Sequence, residues 1–160
     1  MAKKGKKHNL ADPPRIINRK ARFNYTIGKT VECGIKLLGT EVKQLRLGQA
    51  QMADAFARIE GEELLLQGVH IDPYQHASEQ ANHDPRRIRK LLAHKREIRQ
   101  LADETRERGV TLVPLEIYFK DGRCKVEVGV GRGKRAVDKR QDLKKKDAER
   151  EIRRAERGRD

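Results

Sequence analysis

The sequence predicts a small, mostly antiparallel β barrel with helices packed outside it and a basic extension at each end. Three observations lead there. Residues 111–119 and 123–130 alternate apolar and polar positions on either side of Asp121-Gly122, a dipeptide suited to a two-residue hairpin turn. Residues 52–66 repeat the arrangement around the polar turn Glu60-Gly61-Glu62-Glu63. The charge is unevenly placed: the formal net charge is +14, of which residues 1–22 contribute +7, residues 132–160 contribute +6, and everything between only +1.

The elements follow in chain order. Pro13-Pro14 closes the first basic tract. Arg22–Glu32 reads as a strand with Phe23, Tyr25, Ile27 and Val31 on one parity and a turn or bulge at Gly28. A short helix follows, with Thr40 at its N-cap, Val42 and Leu45 facing inward and Gly48 as the stop. After the hairpin over 52–66, Val69, Ile71 and Pro73-Tyr74 suggest another extended stretch, and 75–83 a loop. A long helix is expected from Pro85 to Arg108, capped by Asp84 and stopped by Gly109, with an apolar stripe of Ile88, Leu91, Leu92, Ile98, Leu101 and Ala102. In the last hairpin, Val113, Leu115, Ile117 and Phe119 share one side, and Cys124, Val126, Val128 and Val130 face inward. Pro114 places the first arm at an edge or a bulge.

This divides the chain into a flexible basic segment at 1–14, a barrel domain at 15–131 and a basic tail at 132–160. The tail's apolar residues are Ala136, Val137, Leu143, Ala148, Ile152 and Ala155. So little apolar surface does not offset the entropy of ordering, and the tail is expected to be disordered when free. Its acids are interleaved with bases, as in Asp142 and Lys146, so helix formation on contact with a partner is feasible.

No apolar run is long enough to span a membrane, and no apolar stretch follows the first lysines as in a signal peptide. Two cysteines, Cys33 and Cys124, fit reduced thiols in a cytoplasmic protein. Neither cysteines nor histidines (His8, His70, His76, His83, His94) have metal-ligand spacing, so neither metal nor cofactor is expected. Gly28-Lys29-Thr30 lacks the earlier glycine of a P-loop. Gly129-Val130-Gly131-Arg132-Gly133 lacks the following helix of a dinucleotide site and reads as a flexible exit into the tail. No grouping of carboxylates, serine or histidine makes a catalytic site, and the chain is not expected to be an enzyme.

Clustered Lys/Arg gain affinity by releasing counterions from phosphates, which points to a nucleic-acid partner. The compact donor cluster Asn18-Arg19-Lys20-Ala21-Arg22 abuts the first strand and suits such a contact.

That cluster also opens a series of segments: Gly39-Thr40-Glu41-Val42-Lys43, Asn82-His83-Asp84-Pro85, Arg89-Lys90-Leu91-Leu92, Gly109–Leu115, Gly133-Lys134-Arg135 and Asp138-Lys139-Arg140. In this order, from about 15 to 146, they resemble the small protein B family, the protein partners of transfer-messenger RNA (tmRNA) in bacterial ribosome rescue. The resemblance implies an oligonucleotide-binding-type antiparallel barrel with accessory α-helices. It further implies an adaptor that binds the tRNA-like domain of tmRNA, promotes its alanylation and delivers it to stalled 70S ribosomes. The tail would enter the decoding centre and the empty mRNA channel as a helix, against small-subunit rRNA. Alanyl-tRNA synthetase and elongation factor Tu are implied partners through the tmRNA complex.

Residue by residue, the resemblance implies RNA contacts at Asn18, Arg19, Lys20, Glu32, Leu92, His94 and Lys95, to which the donor cluster adds Arg22. It implies ribosome contacts at Gly133, Lys134, Asp138, Lys139 and Arg140. Glu32 suits a base amino group or ribose hydroxyl rather than phosphate; paired with a neighbouring Arg, it would be structural. Family members often carry His or an aromatic residue where this chain has Val137, and some carry large apolar residues in the distal tail, where this chain has Ile152 among Glu and Arg. A permanent ribosomal protein shares the small size and basic tails and is the competing reading; an enzyme acting on RNA is a third.

Overall fold

The computed structural model describes residues 13–158. In chain order it comprises β1 (Ile16–Ile17), α1 (Arg19–Asn24), β2 (Tyr25–Ile35), α2 (Gly39–Arg46), β3 (Ala50–Gln51), β4 (Phe56–Glu60), β5 (Glu63–Gln67) and β6 (His70–Ile71). A 3-10 turn (Glu79–Ala81) precedes β7 (Arg89–Leu92), α3 (Lys95–Thr105), β8 (Val110–Lys120), β9 (Arg123–Gly133) and α4 (Ala136–Arg157).

Six strands close into an antiparallel ring, β4-β5-β7-β2-β9-β8, with β8 returning to β4 through Ala57 and Leu112. β1 pairs with Glu116 and Ile117 on the same edge of β8 that meets β4. The interior is filled by Leu45, Leu64, Leu66, Leu91, Leu101 and Val126, each essentially inaccessible to solvent. Burying a side chain of this size contributes about 1.5–3 kcal/mol.

Both predicted hairpins are present. Lys120 pairs with Arg123 across Asp121-Gly122, whose φ angles of 52° and 74° lie in the left-handed region a tight hairpin turn requires. Bulges decide what each long strand presents. β2 carries one extra residue between Ile27 and Thr30, and β8 one between Pro114 and Glu116; both oppose β9 near Val128–Gly129. A bulge swaps inward and outward parity. Beyond them Val31 and Ile117 join the interior; before them Ile27, Val113 and Leu115 turn outward, with Tyr25 and Ala21, into a second apolar cluster. A single parity along β2 or β8 is therefore corrected.

This outer cluster also explains Gly129 and Gly131. A Cβ on Gly129 would lie 2.8 Å from Ile27 Cγ2, and one on Gly131 3.1 Å from Val113 Cγ2. These glycines belong to β9 and admit the cluster to the strand's outer face, rather than forming a flexible exit. α1, whose last residues Arg22–Asn24 were expected to open the first strand, rests on that cluster through Ala21, 2% exposed.

The long helix expected over 85–108 is the largest correction. Arg89–Leu92 is a strand joining β5 to β2, with Arg89 and Leu91 inward and Leu92 exposed. Only Lys95–Thr105 is helical, and it begins where the Glu97 carboxylate accepts the His94 backbone N–H at 3.0 Å. Asp84 instead accepts the Arg86 N–H in a turn. Thr40 does not cap α2: the Glu41 carboxylate accepts the Leu38 N–H at 2.8 Å, leaving the Thr40 hydroxyl for His83.

Where a disordered tail was expected, the structure has a 22-residue helix that buries none of its residues. Its alternating charges support the helix locally, and its first turns are held against α1 as described below. Of the N-terminal segment 1–14, residues 1–12, with Lys3, Lys4, Lys6, Lys7 and His8, lie outside the described residues. No helix among the described residues is long and apolar enough to cross a membrane.

Candidate nucleic-acid interface

The motif residues at the centre of the chain are mostly beneath the surface, holding it in place. Glu41 and Arg89, both fully buried, pair at 2.8 Å. The other Glu41 oxygen takes Arg87 at 2.7 Å, and the remaining Arg89 donors reach the Val69 and Pro85 carbonyls at 2.9 and 3.1 Å. Burial pushes the Glu41 carboxyl upward, but the Arg87, Leu38 and Arg89 hydrogen bonds outweigh it and hold the group below its ordinary range. His83 donates from Nε2 to the Ile71 carbonyl (3.0 Å), leaving Nδ1 (2.9 Å) to accept from Thr40. Asn82 closes the loop through both the N–H and the carbonyl of Tyr74. These partners tie α2, β6, β7 and the 82–85 turn into one unit.

Two surfaces emerge from this frame. The first is α1. Asn18 is 6% exposed; its N–H reaches the Leu115 carbonyl at 2.8 Å and its side-chain amide the Pro114 carbonyl at 2.9 Å. It thus anchors the helix to the β8 bulge, a positioning role for a residue expected to touch RNA. Arg19, Lys20 and Arg22 project into solvent from the helix so fixed.

The second surface is a groove of about 530 Å³ where β2, β7 and the start of α3 meet, and it brings Glu32, Leu92 and His94 together with Glu97 and Lys125. Leu92 is 47% exposed there. The Tyr118 hydroxyl donates to Glu32, and Lys120 lies 3.6 Å from it. The Tyr118 bond holds the Glu32 carboxyl below its ordinary range, while burial and that carboxylate push the Tyr118 hydroxyl above its own. Glu32 is therefore partnered by Tyr and Lys rather than Arg, with lone pairs left to accept from a base amino group or ribose hydroxyl. Lys95 stays outside the groove, its ammonium 3.7 Å from Glu62 on the β4–β5 turn. Nor does the groove adjoin Asn18: β8 and β4 flank the α1 side, whereas the groove lies over β2 and β7.

Where β9 ends at Gly133, Lys134 acts as a clamp. Its backbone N–H reaches the Asn24 carbonyl and its ammonium the Arg22 carbonyl, each at 2.9 Å, and it pairs with Asp142 one helical stretch further on. That pairing holds the Asp142 carboxyl below its usual range. Lys139 and Lys146 approach the Phe23 ring at 6.0 and 5.7 Å. Asp138 accepts the Arg135 N–H as a cap, at 3.3 Å, while Arg140 and Val137 are exposed. Asp142 thus serves Lys134, not the expected Lys146.

Both cysteines are free. Burial raises Cys33 to about 11 and the half-buried Cys124 to about 12, keeping both thiols protonated. Among the described residues no group of three or more His, Cys, Asp or Glu is placed to hold a metal. Sequence reasoning missed Lys125 and Tyr118 at the groove and the Glu41–Arg89 pair beneath it. The segments containing Glu41 and Arg89 were visible as motifs, but their pairing is a contact between distant parts of the chain.

Comparison with known proteins gives a consistent answer. The family model described as SmpB protein matches residues 15–158. The SsrA-binding protein of Desulforudis audaxviator is 54% identical over 141 residues, covering 88% of this chain and 92% of its own length. That of Mycolicibacterium smegmatis is 56% identical over 135 residues, covering 84% and 83%. Among solved structures, a chain from "tmRNA-SmpB: a journey to the center of the bacterial ribosome" aligns with a TM-score of 0.66 and 51% identity, over 77% of this chain and 86% of that one.

Proposed function

This chain belongs to the SmpB family, and from that premise we propose that it is an RNA-binding adaptor of trans-translation that binds tmRNA and acts with it on ribosomes. The observation that carries the reading is the extent of the family match: at 15–158 it takes in the barrel, the groove and the helix beyond them. The chain does no chemistry of its own in this account. It positions an RNA.

The two surfaces suit different parts of that task. Arg19, Lys20 and Arg22, projecting from an anchored helix, meet phosphates and set orientation without reading sequence. The groove of Glu32, Leu92 and His94 suits unpaired nucleotides, whose exposed edges need an acceptor, an apolar surface and a nearby cation in Lys125. The tRNA-like domain of tmRNA offers both helical backbone and loops. Held there, the RNA would be favoured for alanylation by alanyl-tRNA synthetase and for carriage by elongation factor Tu to the stalled ribosome in the cytoplasm. The arm bearing Lys134, Asp138, Lys139 and Arg140 would then leave α1 for the decoding centre and the empty mRNA channel, where small-subunit rRNA supplies the phosphates.

Sequencing the RNA that co-purifies with the protein from its host tests this. tmRNA enriched far above its cellular share is the expected result. Ribosomal RNA recovered in stoichiometric amount without tmRNA would indicate a permanent ribosomal protein instead. Binding to tmRNA should weaken steeply with salt, since phosphate contacts release counterions.

A further inference from the structure

The groove containing Glu32, Leu92 and His94 does not end at Leu92. A second depression, of about 390 Å³, opens on the other side of that side chain, and the two share Gly34, Leu92 and Lys125. Gly34 keeps the passage shallow: a Cβ there would stand 3.3 Å from the Leu92 Cβ and force that side chain to move.

The two halves differ in chemistry. The first is lined by two carboxylates, Glu32 and Glu97. The second has none. Its walls are Ile35, Leu37, Val42 and Phe119 with the half-buried Cys124, and its charged lining groups are Arg123 and Lys125. At its edge the Arg46 guanidinium lies over the Phe119 ring, 5.0 Å from the centroid. An apolar hollow beside a planar cation, rimmed by further cations and continuous with an RNA groove, suits a flat apolar face attached to a phosphate. Its volume falls within the about 300–1,000 Å³ of small-ligand sites. An uncharged peptide would leave the basic rim unused.

Building on the tmRNA-binding role above, we propose that this apolar end takes a second unstacked nucleobase of the same RNA. The base lies against Arg46 and Phe119, with its phosphate at Arg123 and Lys125. Leu92 then stands between two splayed nucleotides: the base of one meets Glu32 and His94, and the base of the other is recognised by stacking alone. The second position therefore tolerates any base.

The test uses the full-length protein and the tRNA-like portion of tmRNA in a binding titration, with Arg46→Ala, Arg46→Lys, Val42→Glu and, as a reference for the first half, His94→Ala, which lines that half alone. Arg46→Ala and Val42→Glu should each weaken binding about tenfold, in line with the loss of one base stack. Arg46→Lys should lose most of the same affinity, because an ammonium keeps the charge without the planar face. Changing the identity of the loop nucleotide that loses protection from chemical probing in Arg46→Ala relative to wild type should leave affinity within about twofold, as stacking is tolerant of sequence. Lysine restoring wild-type affinity, or Val42→Glu binding normally, overturns the second base. If His94→Ala weakens binding while the Arg46 and Val42 variants do not, the tmRNA reading stands and this extension falls. If the wild-type protein does not bind the RNA at all, both fall. Should Val42→Glu melt well below wild type, the exposed Arg46 pair of variants decides.

Discussion

Arg89 and Lys134 each hold one carboxylate and reach for backbone carbonyls, yet their surroundings are opposite. Arg89 is wholly inaccessible, as is its partner Glu41, and its remaining donors reach Val69 and Pro85. Lys134 is 17% exposed, its partner Asp142 is 40% exposed, and the helix it secures buries no residue. A buried pair cannot exchange its partners for water without leaving a bare charge in the interior, whereas a surface pair exchanges them at little cost. The barrel is built to keep one shape. The arm is held by surface contacts alone. In an adaptor that holds an RNA with one part and probes a ribosome with the other, those are the properties each part needs.

The sharpest way to break this comparison is at Glu41. Glu41→Ala should destabilise the protein by about 3–5 kcal/mol, the typical cost of stranding a buried charge, measured by urea unfolding. Combining it with Arg89→Ala should cost less than the two losses added, because both remove the same pair. Acid should act in the same direction. The Glu41 carboxyl is held below its unfolded value, so its stabilisation is fully present above the ordinary carboxylate pKa of about 4.3 and is lost as pH falls through the lower, folded one. A melting temperature that does not fall between pH 5 and pH 3, values chosen to bracket about 4.3, would count against that role.

Next in size is Gly129→Ala. Its methyl would meet Ile27 at 2.8 Å and Leu115 at 3.1 Å, beneath the cluster that seats α1. Overpacking of this kind costs about 1–3 kcal/mol, and by disturbing the seat of Arg19 and Lys20 it should also weaken tmRNA binding. Asn18→Ala should cost about 1–3 kcal/mol by leaving the Pro114 carbonyl without its donor. Loss of binding with no loss of stability would mean that Asn18 contacts RNA rather than anchoring the helix.

The smallest effect belongs to the arm. Asp142→Asn should leave the melting temperature unchanged while loosening α4 from α1, visible as a broadened distance distribution between spin labels placed on the two helices. Because pairing with Lys134 depresses the Asp142 carboxyl, the attachment is present above the ordinary aspartate pKa of about 3.9 and weakens as pH falls through the folded value. A melting temperature that falls with Asp142→Asn would make the arm part of the folded unit.

The same contrast explains what could be read from the residues alone. The β8–β9 hairpin is local: alternation and Asp121-Gly122 lie within one stretch, and both were legible. So were the β4–β5 hairpin with Gly61 at its turn and the stop of α2 at Gly48, both glycines carrying positive φ; Gly109, expected as the stop of the long helix, lies beyond the α3 C-cap at Arg106 and leads into β8 instead. β7 was not. An arginine followed by Lys-Leu-Leu fits a helix until Glu41, 48 residues away, supplies the charge that lets Arg89 go inside. The bulges were half legible, through Gly28 and Pro114, but not their effect of turning Val113 and Leu115 outward. Of the site, the basic cluster before the first strand was visible as composition. The meeting of Glu32, Leu92 and His94 depends on β2 pairing with β7, and only the family resemblance placed them together.

The central claim is that the barrel holds the RNA and the arm serves the ribosome, and Asp138/Lys139/Arg140→Ala in the full-length protein tests it most directly. tmRNA affinity and the tagging of peptides on stalled ribosomes are measured on the same preparation. The account predicts affinity within about threefold of wild type, as the loss of two cations outside both RNA-facing surfaces affects only long-range attraction, together with loss of tagging. Tagging that continues unchanged, or affinity lost in step with tagging, would contradict it.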